Sequence, residues 1–141
     1  MNDCPFCTID HEVTRIVREY EHVLVILSNP RLVPGHCLVI PRRHVLRLSE
    51  LRSEERVALF DAVVEMQDMI VARFVKGCDI REHYRPFLSQ SNVKVDHVHI
   101  HLQPRALEDE LYKRSQKYEQ TLWQPLTKEE CERFVVLYQA Q

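Results

Sequence analysis

The sequence predicts an α+β domain in which an antiparallel β-sheet packs against one long helix. Two short, β-branched apolar runs at 22–28 and 36–40 are typical of buried strands. Between residues 51 and 75, apolar side chains recur near the 3.6-residue period of a helix. Short connections between the strands favour antiparallel pairing, with the helices on one face of the sheet. The length of 141 residues is that of one domain.

Prolines help to bound the predicted strands. Pro41 ends the strand at 36–40, because a proline has no backbone N–H to donate to a neighbouring strand. Two further strands are predicted, at 85–91 and at 95–103, and Pro104 ends the second of these.

The long helix has a predicted start, buried face and end. Ser53 is the predicted N-cap, and the acidic residues Glu54 and Glu55 in the first turn interact favourably with the helix dipole. Gly77 ends the helix as a C-terminal glycine. The residues predicted to form the buried face are Val57, Phe60, Val63, Val64, Ile70, Val71 and Phe74.

The C-terminal third of the chain is predicted to be helical. Residues 108–118 have a helical composition. Thr127 and Glu130 have the spacing of a capping box, which predicts a last helix that runs through Tyr138.

Composition and charge exclude several classes of function. The 19 Lys and Arg against 21 Asp and Glu give a formal charge of −2, which argues against a dedicated nucleic-acid binder. The two glycines, Gly35 and Gly77, are too few and too far apart for a P-loop or a Rossmann G-x-G-x-x-G loop. No leader is recognised, and no apolar run approaches the roughly 20 residues that span a bilayer. We therefore expect a cytoplasmic protein with no membrane partner.

The five cysteines are expected to be free thiols, because their number is odd and the expected compartment is reducing. Cys4-Pro5-Phe6-Cys7 is then either half of a metal site or a redox pair. A thioredoxin-like redox pair follows a strand and opens a helix, whereas this motif begins close to the N-terminus. The metal half-site is therefore the favoured interpretation.

Three histidines alternate with apolar residues in H-V-H-I-H-L, residues 97–102. Alternate residues of a strand face the same side, so His97, His99 and His101 are expected to share one face. Val98 and Ile100 would then face the core. Two kinds of chemistry use such a row: histidines can hold a catalytic metal, or a neutral imidazole can attack phosphorus as a nucleophile.

The stretch H-V-H-I-H-L-Q-P-R at 97–105 resembles the signature of the histidine-triad (HIT) family of nucleotide hydrolases and transferases. P-G-H-C-L-V-I-P-R-R-H at 34–44 resembles the second hallmark block of that family, and C-P-F-C resembles its zinc-binding subset. The resemblance implies a single HIT-like domain over 1–141, with a core at about 4–105 and a helical extension at 106–141. It also implies a homodimer.

The resemblance implies a role for three histidines. His99, in the middle of the triad, would attack the α-phosphate of a nucleotide and form a nucleotidyl-imidazole intermediate, which water then hydrolyses. His101 would contact the phosphate oxygens and stabilise the charge that develops there. His36 would order the pocket or the leaving group.

The resemblance to the zinc-binding subset implies four metal ligands. Cys4 and Cys7 would supply two thiolates, and His44 and His97 would supply two imidazoles. Two thiolates and two imidazoles form a closed tetrahedral site, which is structural and not catalytic. Zinc is therefore the expected metal, and no organic cofactor is expected.

The substrate contacts are less completely specified. Ser28 and Asn29 lie where the family has a polar residue that contacts ribose, and the alignment does not choose between them. Gln90 is a candidate contact to phosphate or leaving group. Residues 92–94 replace the Gly-Gln-Ser or Gly-Gln-Thr turn of many members, so Lys94 would supply a charge where those members have a hydroxyl. The charged segment 81–85 is interpreted as a solvated face.

The predicted activity is hydrolysis or transfer of a nucleoside monophosphate group. Dinucleoside polyphosphates and nucleoside phosphoramidates are the candidate substrates. Two alternatives remain open: a nucleotide-binding module without turnover, and a metal-dependent hydrolase that uses the histidine row as ligands.

Overall fold

The computed structural model describes residues 3–141 and contains a five-stranded antiparallel sheet. In chain order, the strands are β1 (Ile16–Glu19), β2 (Val23–Leu27), β3 (Cys37–Pro41), β4 (Gly77–Arg81) and β5 (Ile100–Arg105). They lie in the order β1-β2-β3-β5-β4, and each neighbouring pair is antiparallel. The predicted α+β class is confirmed, and so are the strands predicted at 22–28 and 36–40.

The long helix α1 (Ser53–Arg73) follows a short 3-10 turn (Leu48–Glu50) and connects β3 to β4. Its N-cap is Arg52 and not the predicted Ser53. The carboxylate of Glu55 accepts a hydrogen bond from the backbone N–H of Arg52, at 3.0 Å, and pairs with the Arg43 guanidinium at 2.8 Å. The buried carboxylate of Glu55 therefore defines where the helix begins, which a cap prediction based on Ser or Thr alone misses.

The main core lies between α1 and one face of the sheet. Val25, Val39 and Leu102 come from the three central strands, and each is 0% exposed. The helix contributes Leu59, Ala62, Val63, Met66 and Ile70. Burial of these side chains supplies most of the driving force that holds helix and sheet together.

The opposite face of the sheet carries His101, one of the candidate site residues. Ile26, Leu38 and Ile40 form a smaller buried cluster there, and Phe6 packs against it. Leu38 is the direct cross-strand partner of His101. Directly opposed residues of an antiparallel pair project from the same face, so His101 lies on the face away from α1.

The predicted buried face of α1 is wrong in part. Val63 and Ile70 are buried, as predicted, whereas five of the predicted residues remain exposed: Val57, Phe60, Val64 and Val71 in the helix, and Phe74 directly after it. Apolar residues lie on both sides of α1, so a period of 3.6 residues alone does not choose the side that packs on the sheet. We refer to the five exposed residues as the outer stripe of α1.

Two strand predictions also differ from the structure. Residues 85–91 form turns and irregular loop, and β4 begins at Gly77 instead. A Cβ at Gly77 would lie 2.9 Å from the carbonyl oxygen of Arg105, so this glycine permits close contact between β4 and β5. The strand predicted at 95–103 begins only at Ile100.

The chain divides into two compact units after Asp109. The second unit contains a π-helical turn (Tyr112–Gln116), the short helix α2 (Lys117–Glu119), a 3-10 turn (Gln120–Leu122) and the helix α3 (Lys128–Gln139). The predicted capping box is present, because Thr127 Oγ1 accepts from the Glu130 N–H at 3.1 Å and Glu130 accepts from the Thr127 N–H at 2.9 Å. Within residues 3–141, no helix is both long and apolar enough to cross a membrane.

The central position of Leu102 leads to a stability prediction. Leu102→Ala should lower the free energy of unfolding by about 2–5 kcal/mol, because it removes buried methyl groups and leaves a cavity. Leu107→Ala is the matched control, since Leu107 is 96% exposed, and its effect should stay within about 0.5 kcal/mol. Urea denaturation followed by circular dichroism measures both values. Equal effects of the two substitutions would contradict the assigned core.

Candidate active site and metal centre

Four potential metal ligands converge where the N-terminal segment meets the sheet. They are Cys4, Cys7, His44 and His97, and their ligand atoms all lie within 4.8 Å of one another. The Cys4 and Cys7 sulfurs lie 3.4 and 3.6 Å from His97 Nδ1. Cys7 Sγ lies 3.3 Å from His44 Nδ1, and the two Nδ1 atoms lie 3.1 Å apart.

These separations fit a tetrahedral zinc ion. Zn–S bonds of about 2.3 Å and Zn–N bonds of about 2.0–2.1 Å place sulfur and nitrogen ligands about 3.5 Å apart, and two nitrogens about 3.3 Å apart. A tight turn holds the two thiols together, because the Cys7 and Thr8 N–H groups both donate to the Cys4 carbonyl, at 3.1 and 3.3 Å. The four residues named from the sequence are therefore brought together in a geometry suited to zinc.

A hydrogen bond orients His97 toward this cluster. His97 Nε2 lies 2.7 Å from the carbonyl oxygen of Pro41. A carbonyl only accepts, so Nε2 carries the proton and Nδ1 presents its lone pair to the cluster. Burial lowers the pKa of His97, more than the bond to Pro41 raises it, so the ring is neutral at pH 7.

The backbone carbonyl of His97 orients the ring of His99, and here the protonated nitrogen is Nδ1 and not Nε2. His99 Nδ1 donates to the backbone carbonyl of His97 at 2.7 Å, which leaves the lone pair on Nε2. Burial lowers the pKa of His99, and the hydrogen bond to His97 opposes this shift only partly. The edge of Phe6 contacts both rings, with centroid distances of 5.8 Å to His97 and 5.2 Å to His99. His99 is therefore a neutral imidazole with a defined tautomer.

A chain of hydrogen bonds sets the tautomer of His101. The Leu32 N–H donates to His36 Nδ1 at 3.1 Å, so the proton of His36 is on Nε2. That N–H donates to His101 Nδ1 at 2.9 Å, and the proton of His101 is therefore on its own Nε2. Burial is the main cause that lowers the pKa of His36 to about 4 and that of His101 to about 3. Both rings are thus neutral, and His101 is a hydrogen-bond donor through Nε2.

The prediction that the three histidines of the row lie in one regular strand is wrong. His101 belongs to β5, whereas His97 and His99 precede the first strand residue, Ile100. The Val98 N–H donates to the Val45 carbonyl at 2.8 Å instead of joining the β5 ladder. This leaves His97 free to turn to the cysteines while the His99 and His101 rings stay 4.8 Å apart.

A cavity of about 760 Å³ lies in front of these rings. The three catalytic candidates His36, His99 and His101 line it, and His97 reaches its wall. Three of the predicted substrate contacts also line it: Ser28, Asn29 and Lys94. The volume suits a nucleotide-sized ligand.

Hydrogen bonds engage several of the predicted substrate contacts. Ser28 Oγ donates to the Pro30 carbonyl at 2.8 Å, so its oxygen remains an acceptor. Lys94 Nζ contacts the carboxylate of Asp96, which compensates part of its charge. Gln90 lies outside the cavity lining, and its Oε1 accepts from the Asp96 N–H at 3.0 Å.

Sequence reasoning missed part of the cavity wall. Arg81, His83 and Arg85 line the cavity, although segment 81–85 was interpreted as a solvated face. Phe6 was also missed, although it lies between the two cysteines of a quoted motif. A signal existed for the arginines, since Arg81 and Arg85 stand shortly before the histidine row. Which way these arginine side chains project depends on where β4 ends. The sequence predicted this strand at 85–91, whereas it ends at Arg81.

Comparisons with known proteins find relatives that share one domain family. The HIT domain family model matches residues 11–107. An uncharacterized HIT-like protein of Methanocaldococcus jannaschii is 33% identical over 105 residues, which cover 72% of this chain and 78% of that protein. The asymmetrical bis(5'-nucleosyl)-tetraphosphatase of Schizosaccharomyces pombe is 35% identical over 81 residues, which cover 55% of this chain and 42% of the fission-yeast protein.

A solved structure gives the same fold. The crystal structure of a zinc-bound histidine triad family protein from Mycobacterium smegmatis superposes with a TM-score of 0.64 at 25% identity, and the match covers 77% of this chain and 79% of that chain. The fold predicted from the two histidine motifs is therefore confirmed.

The metal centre leads to a prediction about zinc content. Protein purified without chelator should carry about one equivalent of zinc, and Cys7→Ser should lose most of it because one of four ligands is gone. Cys131→Ser is the matched control, since Cys131 is an exposed free cysteine that does not belong to the cluster. Elemental analysis measures the zinc content, and thermal denaturation measures the stability. The variant that loses zinc should also be less stable. Less than a tenth of an equivalent in the wild-type protein would remove the assignment.

Proposed function

The chain belongs to the HIT family, and on that premise we propose that it is a nucleotide phosphohydrolase or nucleotidyl transferase that reacts at the α-phosphate through His99. One observation carries the proposal: a neutral His99 lines the cavity with its Nδ1–H bound to the His97 carbonyl at 2.7 Å. The free lone pair on Nε2 is what a nucleophile needs. The tetraphosphatase relative supports a hydrolase-type reaction.

In the first half-reaction, His99 Nε2 attacks the α-phosphorus. A P–N bond forms, the P–O or P–N bond to the leaving group breaks, and that bond's electron pair departs with the leaving group. The imidazole keeps its Nδ1 proton and so becomes cationic. The His97 carbonyl, which already accepts that proton's hydrogen bond, stabilises the charge.

In the second half-reaction, water or another acceptor attacks the same phosphorus. The P–N bond breaks and its electron pair returns to His99 Nε2, so that the neutral ring is restored. The acceptor releases its proton to solvent, and the nucleoside monophosphate group leaves the site on the acceptor. Water as acceptor gives hydrolysis, and another acceptor gives transfer.

His101 would stabilise the phosphate oxygens in both steps. Its Nε2–H is the donor left over after Nδ1 accepts from His36 at 2.9 Å. A neutral donor whose position is fixed before the reaction costs no reorganisation when charge develops. His36 would act as the residue that holds this tautomer, and Ser28 or Asn29 would contact the ribose.

The use of the ring nitrogens disfavours a metal-dependent hydrolase built on the histidine row. His97 Nδ1 faces the two cysteines, His99 Nδ1 donates to a carbonyl, and His101 Nδ1 accepts from His36. The three rings therefore do not point one nitrogen each at a common centre. The zinc proposed at Cys4, Cys7, His44 and His97 is a closed, structural ion.

We also propose that the protein is a homodimer. The outer stripe of α1 supports this, since Phe60 within it is 66% exposed. β4 is an edge strand of the sheet, and Ile80 on it is 44% exposed. A cytoplasmic location and the absence of nucleic-acid or membrane partners stay predictions.

The covalent step leads to a prediction for His99→Ala. The wild-type protein, mixed with a dinucleoside polyphosphate and quenched rapidly, should gain the mass of one nucleotidyl group, and His99→Ala should not. Turnover by His99→Ala should fall by at least about 10³-fold, because the nucleophile is lost. His11→Ala is the control, since His11 is exposed outside the cavity. Turnover by His99→Ala at the wild-type rate would refute the mechanism, and saturable binding without any product would support the binding-module alternative.

The homodimer leads to a prediction for Phe60→Glu. A charge on the outer stripe should shift the protein to monomer, because an unpaired carboxylate is costly in an apolar interface. Leu107→Glu introduces the same charge at a 96% exposed site and should leave the dimer intact. Sedimentation velocity measures the masses. A wild-type protein that sediments as a monomer at micromolar concentration would contradict the proposal.

A further inference from the structure

The wall of the cavity is strongly cationic although the chain is acidic. Among residues 3–141, the charged side chains that line the cavity are Arg31, Arg81, Arg85, Lys94 and Asp96. The formal charge of the whole chain is −2. A cavity with an excess of positive groups concentrates anions. Its three arginines can balance more negative charge than a single α-phosphate carries.

Arg81 lies directly beside the reacting histidines. It is the cross-strand partner of His101 in the β4–β5 pair, so both side chains project from the same face. His83 follows, and its ring centroid lies 5.3 Å from that of His101. His36 contacts His101 from the β3 side, whereas Arg81 flanks it from the β4 side.

The charge of Arg81 is available to a ligand. Its nearest carboxylate, Asp79, lies 3.6 Å away, which is longer than a hydrogen bond. The same Asp79 oxygen lies 2.6 Å from Arg105, which pairs with Asp109 as well. Asp79 is therefore engaged mainly by Arg105. Burial is the main cause that lowers the pKa of His101, and the nearby charge of Arg81 lowers it further.

The sheet gives the substrate a direction across the site. Ser28 and Asn29, which follow β2, line the cavity on one side of His101, and Arg81 at the end of β4 lines it on the other. The strand order β2-β3-β5-β4 separates these two sides. A nucleoside near Ser28 with its α-phosphate at His99 would then extend its leaving group toward Arg81.

The turn before the histidine row offers less positive charge to a phosphate than segment 81–85 does. The Ser91 hydroxyl accepts from the Val93 N–H at 3.3 Å, and Lys94 is paired with Asp96. Positive charge for the phosphates of a leaving group is therefore supplied mainly by segment 81–85, through Arg81 and Arg85. Guanidinium groups are well suited to phosphate oxygens, since they donate two parallel hydrogen bonds.

We propose that Arg81 and Arg85 form a subsite for the phosphates of the leaving group. This subsite makes the enzyme selective for substrates whose leaving group is a polyphosphate, such as dinucleoside polyphosphates, over phosphoramidates with an amine leaving group. The direction of the leaving group rests on the proposed function of His99. The presence of an anion subsite at Arg81 is independent of the proposed function of His99.

A binding experiment tests the subsite without turnover. Isothermal titration calorimetry compares tripolyphosphate with AMP on the wild-type protein, Arg81→Gln/Arg85→Gln and the control Arg56→Gln, which lies on exposed helix surface. The double variant should bind tripolyphosphate about tenfold or more weakly and AMP less than about twofold more weakly. The control should match wild type for both ligands. If the double variant does not fold, Arg85→Gln alone replaces it, because Arg85 lies in an exposed loop. This single variant should bind tripolyphosphate about threefold more weakly than the wild-type protein.

Two results overturn the subsite: tripolyphosphate that binds the double variant as well as the control, or a loss of AMP affinity equal to the loss for tripolyphosphate. Selectivity is then measured as the ratio of kcat/KM for diadenosine tetraphosphate to that for adenosine 5'-phosphoramidate. The ratio should fall about tenfold in the double variant, and an unchanged ratio refutes the selectivity. If His99→Ala keeps full turnover while the binding result holds, the chemistry of His99 is wrong and the subsite stands.

Discussion

The site depends on His97, whose two ring nitrogens and backbone carbonyl are all engaged. Its Nε2–H donates to the Pro41 carbonyl at 2.7 Å, and its Nδ1 faces Cys4 and Cys7. Its backbone carbonyl accepts from His99 Nδ1 at 2.7 Å. The proposed metal site and the proposed nucleophile are therefore adjacent parts of one structure, because the residue that would bind zinc also sets the tautomer of His99. Phe6 adds a second link, since it contacts both rings from within the cysteine motif.

Burial gives these imidazoles their chemistry. Removal from water disfavours the charged form and lowers the pKa values of His36, His97, His99 and His101. Each ring then has one N–H and one lone pair, and neighbouring backbone groups decide which nitrogen has which. The Leu32 N–H acts through His36 and leaves His101 with an N–H on Nε2, whereas the His97 carbonyl leaves His99 with a lone pair on Nε2.

Strands with strong local patterns could be predicted, and those that depend on distant partners could not. β2 and β3 are β-branched apolar runs, and the structure confirms both. β1 (Ile16–Glu19) is half-buried and charged, and only its pairing with β2 makes it a strand. β4 (Gly77–Arg81) has the composition of a loop, and its pairing with β5 outweighs the weak strand propensity of its residues. The buried face of α1 likewise depended on the sheet, since both faces of the helix carry apolar residues.

The sequence by itself determined the residue types of the candidate site and predicted which of them lie together. The spacing of Cys4 and Cys7 and the alternation of His97, His99 and His101 are local features, and their chemistry follows from side-chain identity. Only the tertiary structure decided which nitrogens of His97 and His101 are free, because the bonds to Pro41 and His36 join residues that are far apart in the sequence. It also decided that Arg81 lies beside His101, since a cross-strand register joins residues that are distant in sequence.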